Sequence, residues 1–491
     1  MNVLLIQPSI HYPDEPIAGR HQTIRQKEGY IEIGLLSVAS FLENKGVKVH
    51  ILNMARSDSS LEHLQQAVSI MRPRLAAIPC MSGYAYPSLR SYSEMIKRAS
   101  PSTFVITGGQ HSGPLGQTVL REIPHVDCVV RYEGEILTWL VYSSLVSGDP
   151  SLDSIPGIIF RSDSQIKTSE GKAPLIDLNE LPFLNYSLFP SFRRFVPRLE
   201  ESRGCPFDCW FCSNASVFTR NVRYKTPDRL VNELCAIREQ YGAPECFRFY
   251  MINKNYGLDE NITLKFAKRV SQLPFRVEWR TQSTVDVFNP DTLPTLSAAG
   301  LRMIDLGLES ASPKMLLLMN KTSRNPEEYL RKADEIIEKA TRCPNVRVKF
   351  NLIFHPGETA DTLAETLEFL FKRRTKIAAV TASPIMIDPG APLWHHLEFF
   401  EKHYGTRLIK NKFWDSVHIY PADPSSDLSF EQANVASTLI SKMFQTKEDY
   451  FETRRFGGIS PGVDIQSFDK QLRDIPRSLL PYSDKNSRAQ E

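Results

Sequence analysis

Over the first 150 residues, short apolar runs alternate with segments of helical period. Val3-Leu4-Leu5-Ile6 is unbroken and apolar, and it stops at Gln7-Pro8, as a strand buried on both faces would. Residues 33–44 carry Ile33, Leu35, Leu36, Val38, Ala39 and Leu42 at helical spacing and stop at Gly46, a C-cap position. Strands are expected at 47–54, 75–79, 104–107 and 127–130, with helices at 61–71 and 88–99. This alternation predicts an α/β domain built on a doubly wound parallel sheet. Ligands of such sheets bind beyond the carboxyl ends of the strands, which singles out loops 7–16, 80–84, 108–113 and 131–135. The loops hold Ser82-Gly83, Gly108-Gly109-Gln110-His111 and Glu133-Gly134-Glu135, small and polar residues that let a large flat ligand approach the backbone.

Residues 148–195 read as a connector. From Val196 the alternation resumes, with strands at 246–251, 276–280, 303–308, 346–354 and 378–387 and helices between them. A further strand ahead of residue 205 makes six, the number of a partial (β/α)6 barrel open on one side. Beyond Pro389-Gly390 the chain is expected to be mainly helical, with an aromatic stripe of Trp394, Phe399, Phe400, Tyr404, Phe413 and Trp414 that reads as core. A second helix is expected at 429–447, and the polar tail 483–491 is expected to be disordered. The domains are therefore 1–147, a linker 148–195, a barrel 196–392 and a C-terminal helical region 393–491.

A length of 491 residues accommodates two or three domains, each with its own core. A net charge of only +3 gives no argument for nucleic acid or an acidic membrane surface, and no nucleic-acid partner is expected. No signal-peptide pattern and no run of about eighteen apolar residues is present, so a cytoplasmic protein without a membrane span is expected. Eight cysteines are too few for a disulfide scaffold of this length.

Three of those cysteines, Cys205, Cys209 and Cys212, fall within eight residues, in a loop forced by Gly204 and Pro206. A structural zinc site needs a fourth Cys or His nearby, but the next cysteine is Cys235 and no histidine follows before His355. Three thiolates can instead hold a cubane iron–sulfur cluster whose fourth iron stays open. The remaining cysteines, Cys80, Cys128, Cys235, Cys246 and Cys343, read as small core hydrophobes.

The C-x3-C-x2-C spacing, with aromatic Phe211 before the last cysteine, resembles the radical S-adenosylmethionine (radical SAM) superfamily. A Rossmann-like domain ahead of such a loop is similar to the cobalamin-dependent branch of that family, over residues 1 to about 395. The resemblance implies a [4Fe-4S] cluster on Cys205, Cys209 and Cys212, with S-adenosylmethionine chelating the open iron and cleaved to a 5′-deoxyadenosyl radical. It implies contacts to S-adenosylmethionine from Phe211, from Glu309 and Ser310 of a Gly-x-Glu-Ser pattern, and from Arg280. Arg203 is equally available to the carboxylate, and Pro356-Gly357-Glu358-Thr359 matches the family's Pro-Gly-Glu-Thr turn. Asn253 stands where many relatives carry an acid. Cobalamin would be held by Ser82, Gly83, Gly108, Gly109, Gln110, His111 and Glu133. The Asp-x-His-x-x-Gly motif is missing; His11 lies nearby without that pattern, and His111 is a candidate lower-face residue. The activity implied is C-methylation of an unactivated carbon of a small molecule, supplied with electrons by a flavodoxin or ferredoxin. Non-methylating radical chemistry (rearrangement, ring contraction, cyclisation or oxidation) and a non-catalytic cluster or cobalamin carrier are the alternatives. The C-terminal region is expected to cap the barrel mouth.

Overall fold

Along the first strand Val3 and Leu5 face one hydrophobic core while Leu4 and Ile6 face another, the mark of a strand covered by helices on both sides. The computed structural model describes residues 2–13, 30–56, 58–162, 165–214, 219–322, 324–343, 345–473, 475–477 and 480–483. The far end of the 7–16 loop and nearly all of the polar tail therefore lie outside the described residues. The first sheet contains β1 (Asn2–Gln7), β2 (Lys48–Asn53), β3 (Leu75–Pro79), β4 (Phe104–Gly108), β5 (Cys128–Val130), β6 (Ile158–Ser162) and β7 (Gln165–Thr168). Their order is β2-β1-β3-β4-β5-β6-β7. The first five are parallel, and β6 and β7 are an antiparallel hairpin added beside β5. The segment expected to be a connector thus contributes two strands to this sheet. Helices Ile33–Asn44 and Gly134–Ser147 cover one face, and Leu61–Met71 and Tyr86–Ala99 the other.

The second sheet begins at β8 (Arg198–Glu200). Next, β9 (Ser202–Arg203) pairs antiparallel with β10 (Arg223–Tyr224), which clamps both ends of the cysteine loop. Five strands follow: β11 (Cys246–Ile252), β12 (Arg276–Thr284), β13 (Leu301–Glu309), β14 (Arg347–Phe354) and β15 (Ala379–Pro384). All six pair parallel in the order β15-β14-β13-β12-β11-β8, an open six-stranded barrel. Along β13, Ile304, Leu306 and Leu308 join the core under the helices, so Asp305, Gly307 and Glu309 sit on the opposite, lumen face.

The C-terminal region is helical, as expected, but it also contains a small antiparallel sheet that the sequence pattern did not reveal. It comprises β16 (Met386–Ile387), expected as the end of the barrel strand 378–387 but split from β15 and paired here instead, with β17 (Arg407–Leu408) and β18 (Tyr420–Asp423), in the order β16-β18-β17. Strands this short carry too few residues for a period to register. The region also divides between the two ends of the barrel. Residues 386–423 pack around Tyr84, Trp210 and Phe211 on the side of the cysteine loop. Helix Lys447–Arg454 instead reaches the barrel base, where Asp449 pairs with Arg347, the first residue of β14, at 2.6 Å. Only part of this region is therefore in a position to cap the mouth.

Candidate active site

The cysteine loop is anchored from several sides. Trp210 N donates to the Met319 carbonyl (2.9 Å), Asn320 Nδ2 to the Asp208 carbonyl (2.8 Å), and Leu393 N to the Trp210 carbonyl (2.8 Å). Trp210 stacks on His396 with ring centroids 4.0 Å apart. Gly204 adopts φ +102°, and a Cβ there would collide with the carbonyls of Asn221 and Thr219, so the entry to the loop requires glycine. Among the described residues no three His, Cys, Asp or Glu side chains converge on one ion position. A cubane does not require that, since each thiolate takes a different iron.

The surroundings of the sulfurs suit thiolate ligands. Asn255 Nδ2 donates to Cys205 Sγ at 3.2 Å, and Asn214 Nδ2 to Cys212 Sγ at 3.0 Å. Burial pushes the Cys209 thiol up to about 12, opposed by the Lys321 charge. Burial also raises Cys212, opposed by bonds from Asn214 and by Lys254. The free Cys209 and Cys212 thiols are thus protonated at neutral pH, and a bound iron would displace the proton. The donor set fits a cluster on Cys205, Cys209 and Cys212.

At the barrel mouth, Glu309 is held in a left-handed conformation (φ +63°) and pairs with Lys321 Nζ at 3.2 Å. That ammonium lies 5.7 Å from the centroid of the Phe211 ring. Glu309, Lys321 and Phe211 therefore form one wall beside the cysteine loop. Ser310 turns away, its Oγ 3.0 Å from Thr366 Oγ1 and bonded to Ser312 N. Glu358 likewise turns toward the first turn of the helix that follows it, accepting from Thr362 Oγ1 at 2.6 Å, and burial pushes its carboxyl up to about 7.

Arg280 lies elsewhere. The strand expected to end at residue 280 continues to Thr284, and Arg280 is level with Arg198 and Met303, near the starts of β8 and β13. There it donates to Asp305 Oδ2 (3.0 and 2.5 Å) and to the Thr453 carbonyl (2.6 Å). Its donors are engaged at the barrel base rather than at the mouth.

Between the two sheets lies a cavity of about 260 Å³. Its walls come from the strand ends of the first sheet (Pro79, Gly108, Gly109, Gln110, Glu133) and from the barrel side (Glu200, Ser202, Arg203, Asn253, Lys254). Gly108 and Gly109 shape it: a Cβ at Gly108 would lie 2.9 Å from the Val130 carbonyl, and one at Gly109 2.7 Å from Met81 Sδ. This glycine cradle on the carboxyl edge of the sheet fits the planar cobalamin ring. Four of the residues expected to contact cobalamin (Gly108, Gly109, Gln110 and Glu133) line the cavity. Ser82 and Gly83 do not; Gly83 packs against the backbone of Val417 and the side chain of Ile419. His111 is buried beside Asp388, its Nδ1 3.2 Å from Oδ2, and is not part of the cavity wall. Cys80 is buried, and its thiol approaches the Ser82 carbonyl at 3.4 Å.

Arg203, which the sequence offered to the carboxylate of S-adenosylmethionine, is instead engaged by carboxylates of the protein, meeting Glu135 at 2.7 Å, Glu200 at 2.9 Å and Glu133 at 3.3 Å. Gln110 Nε2 donates to Ser213 Oγ at 2.8 Å, tying the first sheet to the residue after Cys212. Lys254, Asn255, Asn214 and Lys321 surround the sulfurs; only Asn253-Lys254-Asn255 gave a hint, as a polar run closing a strand.

The B12 binding domain family matches residues 27–138, and the Radical SAM superfamily matches residues 200–370. An uncharacterized methyltransferase of Pyrococcus horikoshii is 24% identical over 370 residues, covering 74% of this chain and 78% of that protein. An anaerobic magnesium-protoporphyrin IX monomethyl ester cyclase of Rubrivivax gelatinosus is 24% identical over 381 residues, covering 74% of this chain and 65% of that protein. The fold is shared with the radical S-adenosylmethionine methyltransferase TsrM of Kitasatospora setae, solved with cobalamin and a [4Fe-4S] cluster. The TM-score is 0.68 at 15% identity, over 84% of this chain and 81% of that one.

Proposed function

We propose that this chain, a cobalamin-dependent radical SAM enzyme, methylates an unactivated carbon of a small-molecule substrate. The observation that carries this reading is the single cavity bounded by the glycine cradle of the first sheet and by Arg203 and Lys254, which flank the cysteine loop. When bound, the cluster with S-adenosylmethionine supplies hydrogen abstraction from carbon, and cobalamin supplies the methyl group. Cys205, Cys209 and Cys212 would hold the cluster. Glu309, with Lys321 fixing its carboxylate, would receive the amino group of S-adenosylmethionine, and Phe211 would flank it. Gly108, Gly109, Gln110 and Glu133 would border cobalamin. Substrate would sit between the two cofactors, and a flavodoxin or ferredoxin would supply electrons. No helix among the described residues is long and apolar enough to cross a membrane, and we place the enzyme in the cytoplasm.

Similarity to a cyclase favours a second reading, radical chemistry without methyl transfer. Products separate the two: S-adenosylhomocysteine accompanies methylation, whereas 5′-deoxyadenosine alone indicates the second. Anaerobic purification with hydroxocobalamin should yield cobalt and about four irons per chain. Replacing all three cysteines by Ala should abolish iron and leave cobalt. Retention of the full iron content would defeat the assignment of the loop.

A further inference from the structure

We propose that Asn255 and Asn214 are positioning residues of the cluster site, donating N–H···S hydrogen bonds to Cys205 and Cys212 that raise the reduction potential of the cluster. The inference rests on the cluster reading above and extends it to residues outside the ligand set. Two hydrogen bonds carry it.

Asn255 is 9% exposed, and its amide reaches Cys205 Sγ at 3.2 Å. The turn that presents it is pinned on both sides. Asn253 Nδ2 is bonded to Glu201 (3.1 Å) and Thr281 (3.0 Å), and Tyr256 N donates to the Gln282 carbonyl (2.9 Å). A side chain fixed in this way keeps its geometry when the sulfur gains charge.

Asn214 Nδ2 lies 3.0 Å from Cys212 Sγ, and its orientation is set from the other domain. Gln110 Nε2 donates to Asn214 Oδ1 at 3.4 Å and to Ser213 Oγ at 2.8 Å. With its oxygen turned to a donor, the amide must direct its N–H groups at the sulfur. Gln110 lines the cavity between the sheets, so the edge of the cobalamin site orients a hydrogen bond to a cluster ligand.

Both Asn side chains can only donate to a thiolate, which has no proton to give. One-electron reduction places more negative charge on the sulfurs, and N–H dipoles aimed at them stabilise the reduced state more than the oxidised one. Removing them should make the cluster harder to reduce.

The test uses the full chain with its cluster reconstituted without oxygen, in unmodified form and as Asn255→Ala, Asn214→Ala, the double variant and Asn255→Ser. Iron per chain and the midpoint potential, followed by the EPR signal of the reduced cluster, are the readouts. With full iron retained, the double variant should show an about tenfold lower ratio of reduced to oxidised cluster at a given applied potential. For a one-electron couple this is a downward shift of about 59 mV. Asn255→Ser, which keeps a donor, should lie closer to the unmodified chain than Asn255→Ala. Full iron with an unmoved potential would overturn the proposal. Should Asn255→Ala lose iron, retention by Asn255→Ser would support a donor role and loss from both would overturn it. Absence of iron from the unmodified chain would instead defeat the cluster reading itself, so the two failures are distinguishable.

Discussion

Replacing Arg203 by Met should be among the most damaging single changes outside the cluster ligands. The guanidinium donates to Glu135 Oε1 at 2.7 Å and to both oxygens of Glu200 at 2.9 and 3.0 Å, with Glu133 at 3.3 Å. The side chains of Arg203 and Glu135 are 8% and 3% exposed. Glu133 would keep Arg223, so the loss falls on Glu135 and Glu200. Glu135 would be left with the Ser37 hydroxyl among its described partners. Removing one member of a buried ion pair costs about 3–5 kcal/mol, because the other charge stays desolvated. Arg203→Lys should lose less, as it keeps the charge but not the planar fork. Combining Arg203→Met with Glu135→Gln removes the more buried of the two stranded charges and should recover about 1–3 kcal/mol. Burial alone would raise the Glu135 carboxyl, but the Arg203 charge and the bonds from Arg203 and Ser37 hold it below its ordinary value. Its folded value being depressed, this stabilisation is fully present above the unfolded value of about 4.5 and is lost as pH falls through the folded value. The assay is urea unfolding of the cofactor-free chain, followed by tryptophan fluorescence and circular dichroism with each transition fitted separately. A cost for Arg203→Met below about 1 kcal/mol, or no recovery in the double variant, would refute the reasoning.

Gly109→Val should weaken cobalamin retention and cost about 1–3 kcal/mol, since φ is +105° and a Cβ would sit 2.7 Å from Met81 Sδ. Cobalt per chain and thermal melting check it, and undiminished cobalt would count against the cradle. Burial raises the Glu358 carboxyl to about 7, so its contribution is full below about pH 4.5 and lost as pH rises through 7, by about 3 kcal/mol. Glu358→Gln should flatten that fall, and an unchanged stability profile between pH 4.5 and 7 would contradict it. His355 has the opposite sign: burial lowers it to about 4, so its stabilisation is present above about pH 6.5 and lost as pH falls toward 4. His355→Leu should remove that acid-side loss, which urea unfolding at pH 5 against pH 7 would reveal.

Much of the scaffold was legible because buried parallel strands are written as plain apolar runs, as in Val3-Leu4-Leu5-Ile6. The cysteine loop was legible for a chemical reason, since three closely spaced thiols have few uses. Arg280 was misplaced because the apolar signal of its strand stops at Trp279, while Arg-Thr-Gln-Ser-Thr reads as a loop. The strand persists through those five residues because the barrel lumen is polar and bonds them, as when Gln282 Nε2 donates to the Asn253 carbonyl. Ser310 was read from its motif, but the left-handed turn at Glu309 sends the next side chain toward Thr366. His111 and Asp388 lie 277 residues apart in the chain, and Gln110 and Asn214 lie 104 apart. No local pattern can announce such a pair, and Asn255, 50 residues from the Cys205 sulfur it meets, was hidden for the same reason.

The two ends of the barrel are occupied differently. At the base, Arg280, Asp305 and the Thr453 carbonyl form a closed polar layer, with helix Lys447–Arg454 pressed against it. That helix is therefore a plug, remote from the thiols. At the mouth, residues 386–423 pack on Trp210, Phe211 and Tyr84, one set of contacts on each domain. That segment does not line the cavity between the sheets; it braces the cysteine loop, through Leu393 N on the Trp210 carbonyl and the His396 ring stacked on Trp210. Of the C-terminal elements described, it is the one in contact with the loop that carries the thiols, so Trp394→Ala, which thins the apolar cluster shared with Trp210 and Phe211, should lower iron per chain after reconstitution, whereas Phe451→Ala in the helix at the base should lower stability and leave iron content unchanged.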